Sequence, residues 1–193
     1  MKPVKSSLFN MIMAMTVVSI CSAASIAYVY QKTKEPSEAS KTMKISKAIE
    51  EMVGNFYNKP YEERTTLSGG DLELYPAREN GTITSVAIKS YSNNGFGGKI
   101  ELIIGILMDG TVSGYKIIQQ NETPGLGTKI AENKFSEQFV GLNAHDDNFE
   151  LSKNGGEIDA LTGATISSNA VVEAVKKAVT AYKKFAGGAG NDK

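Results

Sequence analysis

The chain has 193 residues, 41% of them hydrophobic and 22% charged, so it suits one ordinary globular domain and is too apolar for wholesale disorder. Its 21 basic and 21 acidic residues cancel, which excludes a strongly basic nucleic-acid binder and an acidic tail. One Cys and one His exclude a disulfide framework, a Cys-rich zinc site, a Cys-ligated iron–sulfur cluster and an HExxH metalloprotease, so no metal site is expected. A His-dependent nucleophile would have to use His145, which in His145-Asp146-Asp147 reads as a solvated loop residue.

No residue from Ser6 to Gln31 is charged, and Leu8 to Tyr30 is mostly Met, Ile, Val, Ala, Ser and Tyr. That matches the ~20 residues a helix needs to cross the hydrocarbon core. Tyr28 and Tyr30 stand at the far end, where amphipathic aromatics anchor. Lys2 and Lys5 precede the segment and place the N-terminus in the cytoplasm, although Lys32 and Lys34 follow closely. A cleaved signal peptide, with Ser22-Ala23-Ala24 as the cleavage region, is the rival reading. A lipoprotein through Cys21 is a further one, weakened by Ile20 just before the Cys. An uncleaved anchor accounts best for the length of the uncharged stretch, and all three readings export the rest of the chain. Cys21 is then a small apolar residue within the span.

Gln31 to Lys41 is polar, contains Pro36, and reads as a juxtamembrane linker or the start of a helix. Ile45, Ala48, Ile49, Met52, Val53 and Phe56 fall on one face of a helix over 43–57 that Gly54 and Asn58-Lys59-Pro60 bring to an end. Thr82–Tyr91 is rich in β-branched residues and reads as a strand. In Ile100–Leu107 both alternating sets are largely apolar, which predicts a strand buried on both faces. Asp109-Gly110 then links it to a strand over Val112–Ile118 as a hairpin. Val171, Ala174, Val175, Ala178, Val179, Tyr182 and Phe185 give the apolar face of a helix over 169–185. Ser167 or Ser168 is its N-cap, lysines gather towards its end, and Gly187-Gly188-Ala189-Gly190 terminates it.

Two segments are harder to explain as scaffold. In Glu122-Thr123-Pro124-Gly125-Leu126-Gly127-Thr128-Lys129, Pro124-Gly125 fixes a turn and Gly127 permits close backbone approach, although a plain connecting loop would also fit. Asp159-Ala160-Leu161-Thr162-Gly163-Ala164-Thr165-Ile166-Ser167-Ser168 places hydroxyls and small residues at a helix N-terminus, where unpaired amides favour an anion.

The string Asp159-Ala160-Leu161-Thr162-Gly163-Ala164-Thr165 resembles the D-x-x-[ST]-G-A-T flavinylation motif of the FMN-binding domain family, whose last Thr carries FMN through a phosphoester. Tyr75-Pro76-Ala77, Gly95-Phe96-Gly97-Gly98-Lys99-Ile100, Asp109-Gly110 and Glu122-Thr123-Pro124-Gly125-Leu126-Gly127 occur in the family's order, over about residues 65–185. Phe96 stands where the family often has Tyr. With one N-terminal span, the chain most resembles the G-subunit family of Rnf-type ion-translocating ferredoxin:NAD oxidoreductase complexes, relatives of the C subunit of the sodium-pumping NADH:quinone oxidoreductase.

The resemblance implies an electron carrier with FMN esterified to Thr165. The phosphate would lie at the head of the last helix, with Gly163 and Ala164 leaving the hydroxyl open and Ser167 and Ser168 adding hydrogen bonds. The flavin would reach the loop holding Glu122, Thr123, Gly125, Leu126 and Gly127. Lys129 would favour its anionic reduced form, unless it is simply a solvated lysine. Thr162 would shape the turn through a hydrogen bond. Asp159 would orient the motif, help deprotonate Thr165, or cap the local turn. The implied partners are the other subunits of an Rnf-type complex, a flavin transferase and the membrane, with no nucleic acid. An FMN carrier for another respiratory system and a flavin-free anchored assembly module are the rivals.

The expected fold class is α+β, a mainly antiparallel sheet packed against helices and preceded by one transmembrane helix. The expected organisation is an anchor over 1–30, a juxtamembrane segment over 31–60, an extracytoplasmic FMN-binding domain over 61–187 and a tail over 188–193.

Overall fold

The computed structural model describes residues 8–54, 56–67, 72–146 and 148–189, with backbone alone at 34–38 and 188–189. Lys2 and Lys5 of the expected cytoplasmic stub, and tail residues 190–193, lie outside the described residues. The chain divides into two compact units, Met1–Met43 and Lys44–Lys193.

Helix α1 runs without a break over Leu8–Val53. Its part over Leu8–Thr33 is long and apolar enough to cross a membrane, and its large side chains, among them Leu8, Phe9, Met15 and Ile26, are exposed. Such a surface needs an apolar covering, and lipid supplies one. The stretch read as a linker or helix start is helical throughout, Pro36 included. Lys, Glu and Ala around it are good helix formers, while a proline removes a single amide from the ladder.

Among the described residues of the second unit, five strands form one antiparallel sheet in sequence order: β1 (Thr65–Leu67), β2 (Leu72–Glu79), β3 (Thr82–Gly95), β4 (Gly98–Leu107) and β5 (Val112–Gln119). Each pairs only with its neighbours in the chain. The β4–β5 hairpin turns at Asp109-Gly110 as its sequence predicts, with the Leu107 amide donating to the Thr111 carbonyl at 2.8 Å. Strand β2 is an addition to the sequence reading. Its link to β3 is Asn80-Gly81, both at positive φ, the conformation that a two-residue hairpin favours.

Strand β4 is buried on both faces, as its composition predicts. Ile100, Leu102, Ile104 and Ile106 join Val86 and Ile88 against helix α3 (Thr165–Ala189), through Val171, Val175, Ala178 and Tyr182. On the other face Ile103, Tyr75, Ala77 and Ala87 meet Ile45, Ala48, Ile49 and Val53 at the end of α1. The last carbonyls of α1 are satisfied from the sheet, Val53 by the Ser85 hydroxyl at 3.2 Å and Met52 by that of Ser113. The sheet therefore lies between two helical layers, the expected α+β arrangement.

Helix α3 begins four residues earlier than its periodicity predicts and continues to Ala189. Ser167 and Ser168 are thus inside its first turn and neither is the N-cap. The glycines at 187 and 188 do not stop it; their intrinsic cost is about 1 kcal/mol each, within what the buried face of a long helix can offset. Between β5 and α3 the chain makes short turns and one short helix, α2 (Asn133–Ser136), whose Phe135 packs edge-on to Phe139, 5.7 Å between centroids.

Candidate functional site

Three strips of chain converge at one end of the sheet. The first is the β3–β4 turn, where Gly95 pairs with Gly98 and leaves Phe96-Gly97 at the tip. The second is the loop after β5. Its Thr123-Pro124-Gly125-Leu126 segment is a β-turn, with the Leu126 amide donating to the Thr123 carbonyl at 3.2 Å and Gly125 at φ +75°. Pro second and Gly third are the residues that such a turn selects. The Gly125 amide donates to the Thr128 hydroxyl at 3.0 Å. The third is the approach to α3. Leu161-Thr162-Gly163-Ala164 turns on Gly163 at φ +76°, closed by the Ala164 amide donating to the Leu161 carbonyl at 3.0 Å.

Between the strips is a cleft of about 490 Å3 lined by Phe96, Glu122, Thr123, Leu126, Gly127, Gly163, Ala164, Thr165, Ile166 and Ser167. Phe96, Leu126 and Ile166 are 69%, 46% and 52% exposed, so the cleft carries apolar surface that solvent can reach. Thr165 is half-buried at the head of α3. The first backbone bond at this end runs from the Ser168 amide to the Ala164 carbonyl, 3.0 Å. The amides of Thr165, Ile166 and Ser167 precede it and are first-turn groups without intrahelical acceptors. The cleft therefore brings together a threonine, the start of a helix whose first-turn amides have no intrahelical acceptors, and apolar walls.

The strips are pinned together at Glu122, which is buried at 5% exposure. Its Oε1 accepts from the Gly97 amide at 3.0 Å and its Oε2 from the Ser167 hydroxyl at 2.5 Å. A Cβ at Gly97 would come 1.9 Å from the Asn121 carbonyl oxygen, so the hairpin tip can lie on this loop only with glycine there. Behind the cleft, Glu173 of α3 accepts from the Ser92 hydroxyl and the Asn94 amide group, both at 2.7 Å, and pairs with Lys177 at 2.8 Å. Burial works to raise the Glu173 carboxyl, but these donors and the Lys177 charge outweigh it and hold the group below its ordinary value.

Of the residues the sequence singles out, Glu122, Thr123, Leu126, Gly127, Gly163, Ala164, Thr165 and Ser167 line the cleft. The others stand apart from it. Gly125 forms the turn beside it. Lys129 is exposed on a 3-10 turn over Gly127–Ala131 and is not among the lining residues. Asp159 accepts from the Ser152 hydroxyl at 2.5 Å and its amide donates to Gln138 Oε1 at 2.7 Å, which ties the start of the motif to two neighbouring turns. Thr162 is exposed and its hydroxyl makes no bond among the described residues; the turn it is expected to shape is closed by backbone instead.

Both serine hydroxyls are committed within the protein. Ser167 donates to Glu122, while Ser168 donates to the Ala164 carbonyl at 3.0 Å and accepts from the Leu161 amide at 3.0 Å. Phe96 and Ile166 also line the cleft, although the sequence reading does not select them as site residues. An aromatic set among three glycines on a hairpin tip is the signal for Phe96; nothing in the sequence marks Ile166. His145 is exposed as expected, and its ring packs edge-on to Tyr182 away from the cleft.

Comparison with known proteins bears on this site. A family model described as the FMN-binding domain matches residues 95–180, a span that contains all three strips. The chain is 32% identical over 179 residues to the G subunit of the ion-translocating oxidoreductase complex of Vibrio cholerae, covering 86% of this chain and 85% of that protein. It is 31% identical over 184 residues to the protein of the same name in Pseudoalteromonas atlantica, covering 88% and 85%. To that of Aliivibrio fischeri it is 40% identical over 117 residues, covering 58% and 56%. Among solved structures, the C subunit of the Na(+)-translocating NADH-quinone reductase of Parabacteroides distasonis is similar over 60% of this chain and 62% of its own, with 23% identity and a TM-score of 0.47.

Proposed function

Since the chain belongs to the G-subunit family of ion-translocating oxidoreductase complexes, we propose that it is the FMN-bearing electron-carrier subunit of an Rnf-type membrane complex, with FMN esterified to Thr165. FMN, when bound, accepts and passes on one or two electrons. The observation that carries the reading is the place of Thr165, whose residue lines the cleft and opens a 25-residue helix.

The lining of the cleft suits such a group. Its volume of about 490 Å3 lies in the range of ligand sites, roughly 300–1,000 Å3. The first-turn amides of α3 supply donors for a phosphate, and the helix dipole favours the charge that a phosphodiester keeps. Phe96, Leu126 and Ile166 supply apolar surface for an aromatic ring system. Gly163 and Ala164 beside Thr165 leave its hydroxyl open to a modifying enzyme. The committed hydroxyls of Ser167 and Ser168 instead hold the helix head and its turn in place.

Attachment removes the dissociation equilibrium, which matters outside the cytoplasm, where a released cofactor would diffuse away. It also allows an open cleft, from which electrons can pass to partners at close approach. The span over Leu8–Thr33 is the single-pass anchor, with the N-terminus cytoplasmic and the second unit extracytoplasmic. The other subunits of the complex and a flavin transferase are its partners.

The intact mass of the full chain, purified from cells that make the complex, tests the assignment. It should exceed the sequence mass by FMN less one water, and fragmentation should place the increment on Thr165. An unmodified mass, or flavin released on denaturation, would overturn the covalent assignment.

A further inference from the structure

Glu122 is more than part of the cleft wall. The residue is 5% exposed, and its carboxyl sits where the three strips meet. Space is reserved for it: a Cβ at Gly95 would come 2.6 Å from Oε1, and one at Gly127 would come 2.6 Å from Oε2. Its two hydrogen-bond donors, the Gly97 amide and the Ser167 hydroxyl, are both neutral. Among the described residues it takes part in none of the ion pairs.

A buried carboxylate without a cation is an expensive way to join three loops. The neutral amide of a glutamine has the same reach and could bond the same two groups. The clamp therefore explains the length of the side chain but not its charge. The charge does have a consequence for what the cleft holds. Reduction adds negative charge to a bound electron acceptor, and a neighbouring carboxylate opposes that addition, most strongly where water is excluded.

We propose that Glu122 is a positioning residue that also holds the reduction potential of the FMN site down. This rests on the FMN reading above. Its hydrogen bonds fix Phe96-Gly97 and Ser167 relative to the loop that bears Leu126, and its charge makes the cleft a weaker electron acceptor. The Ser167 hydroxyl counters part of that charge by donating to it. Two substitutions should thus move the potential in opposite directions. Glu122→Gln keeps the reach and removes the charge, so the potential rises. Ser167→Ala keeps the charge and removes a donor, so the potential falls.

The test is redox titration of flavin absorbance in the full-length chain in detergent, for wild type, Glu122→Gln, Glu122→Asp and Ser167→Ala. We expect a positive shift in Glu122→Gln, a value near wild type in Glu122→Asp, which restores the charge, and a negative shift in Ser167→Ala. Loosening of the cleft alone would shift Glu122→Gln and Ser167→Ala in the same direction. That outcome, or a flavin-loaded Glu122→Gln with the wild-type potential, overturns the proposal. If Glu122→Gln does not accumulate, Glu122→Asp and Ser167→Ala decide: a near-wild-type potential in the shortened but charged Glu122→Asp with a negative shift in Ser167→Ala supports the proposal, and a shift of both in one direction overturns it. A wild-type chain without flavin overturns the FMN reading itself, a result distinct from loaded variants that fail to shift.

Discussion

Thr165 and Thr162 lie three residues apart, yet Thr165 lines the cleft while Thr162 stands outside it, exposed and unbonded among the described residues. Thr165→Ala should abolish flavin fluorescence in the denatured protein band while leaving the melting temperature of the flavin-free chain nearly unchanged, since the Thr165 hydroxyl makes no hydrogen bond among the described residues. Thr165→Ser keeps a hydroxyl at the same backbone position and should retain part of the signal. Thr162→Ala should leave the modification on Thr165 and stability within about 0.5 kcal/mol of wild type, as for surface changes generally. Gly97 gives the opposite pattern. Its missing Cβ makes room for backbone, so Gly97→Ala must push the hairpin tip off the loop at 121–122. It should cost about 1–3 kcal/mol in a denaturation experiment and reduce flavin loading even though Thr165 is intact.

Among the elements, the join between α3 and β3 depends on Glu173, held in its charged form by Lys177, Ser92 and Asn94 against the effect of burial. A carboxyl held below its ordinary value contributes stability above that value and loses it as acid protonates the folded state. Glu173→Gln should therefore lower stability near neutral pH by about 1 kcal/mol or less, because its side chain is still 35% exposed and water screens the pair. The difference should vanish as the pH falls below the ordinary glutamate range of about 4.3; a melting series across pH checks it. On the other face of the sheet, Ile49 is 1% exposed among Tyr75, Ala77, Ala87 and Ile103. Ile49→Ala should cost about 2–5 kcal/mol by the same measurement.

The elements also show what a sequence carries and what it does not. The strands over 82–91, 100–107 and 112–118 are legible because their apolar residues repeat locally. Strand β2 is not, since Pro76 inside it argues against a strand. The fold accepts Pro76 because β1 pairs with β2 only as far as Leu74, leaving that edge open. Asn58 covers it instead, donating to the Pro76 carbonyl at 2.8 Å and accepting from the Arg78 amide at 2.9 Å. The start of α3 is hidden for a similar reason. Ser167 reads as a cap by its type, but its partner is Glu122, 45 residues away. Motif strings bring the cleft's threonine, glycines and loop into view; the commitments of the serine hydroxyls and the place of Lys129 outside the cleft appear only in three dimensions.

For the molecule as a whole, topology is the first thing to test. Protease added to spheroplasts should remove the second unit, and its survival until the membrane is permeabilised would reverse the orientation. A lysine in place of Val18, mid-span, should shift the protein out of the membrane fraction at a cost of about 2.5–3.5 kcal/mol for insertion. The sheet order repeats the chain order, so every strand can pair with the one made just before it, which keeps the closed loops short. The cleft is different. It draws on residue 96, on 122–127 and on 163–167, and the last of these open the final element of the fold. A polypeptide interrupted before α3 could complete its sheet and still present no cleft, and the threonine proposed as the acceptor comes late. On the reading that FMN is esterified to Thr165, a yellow chain is one whose synthesis has run past residue 165 and into the element that completes the cleft.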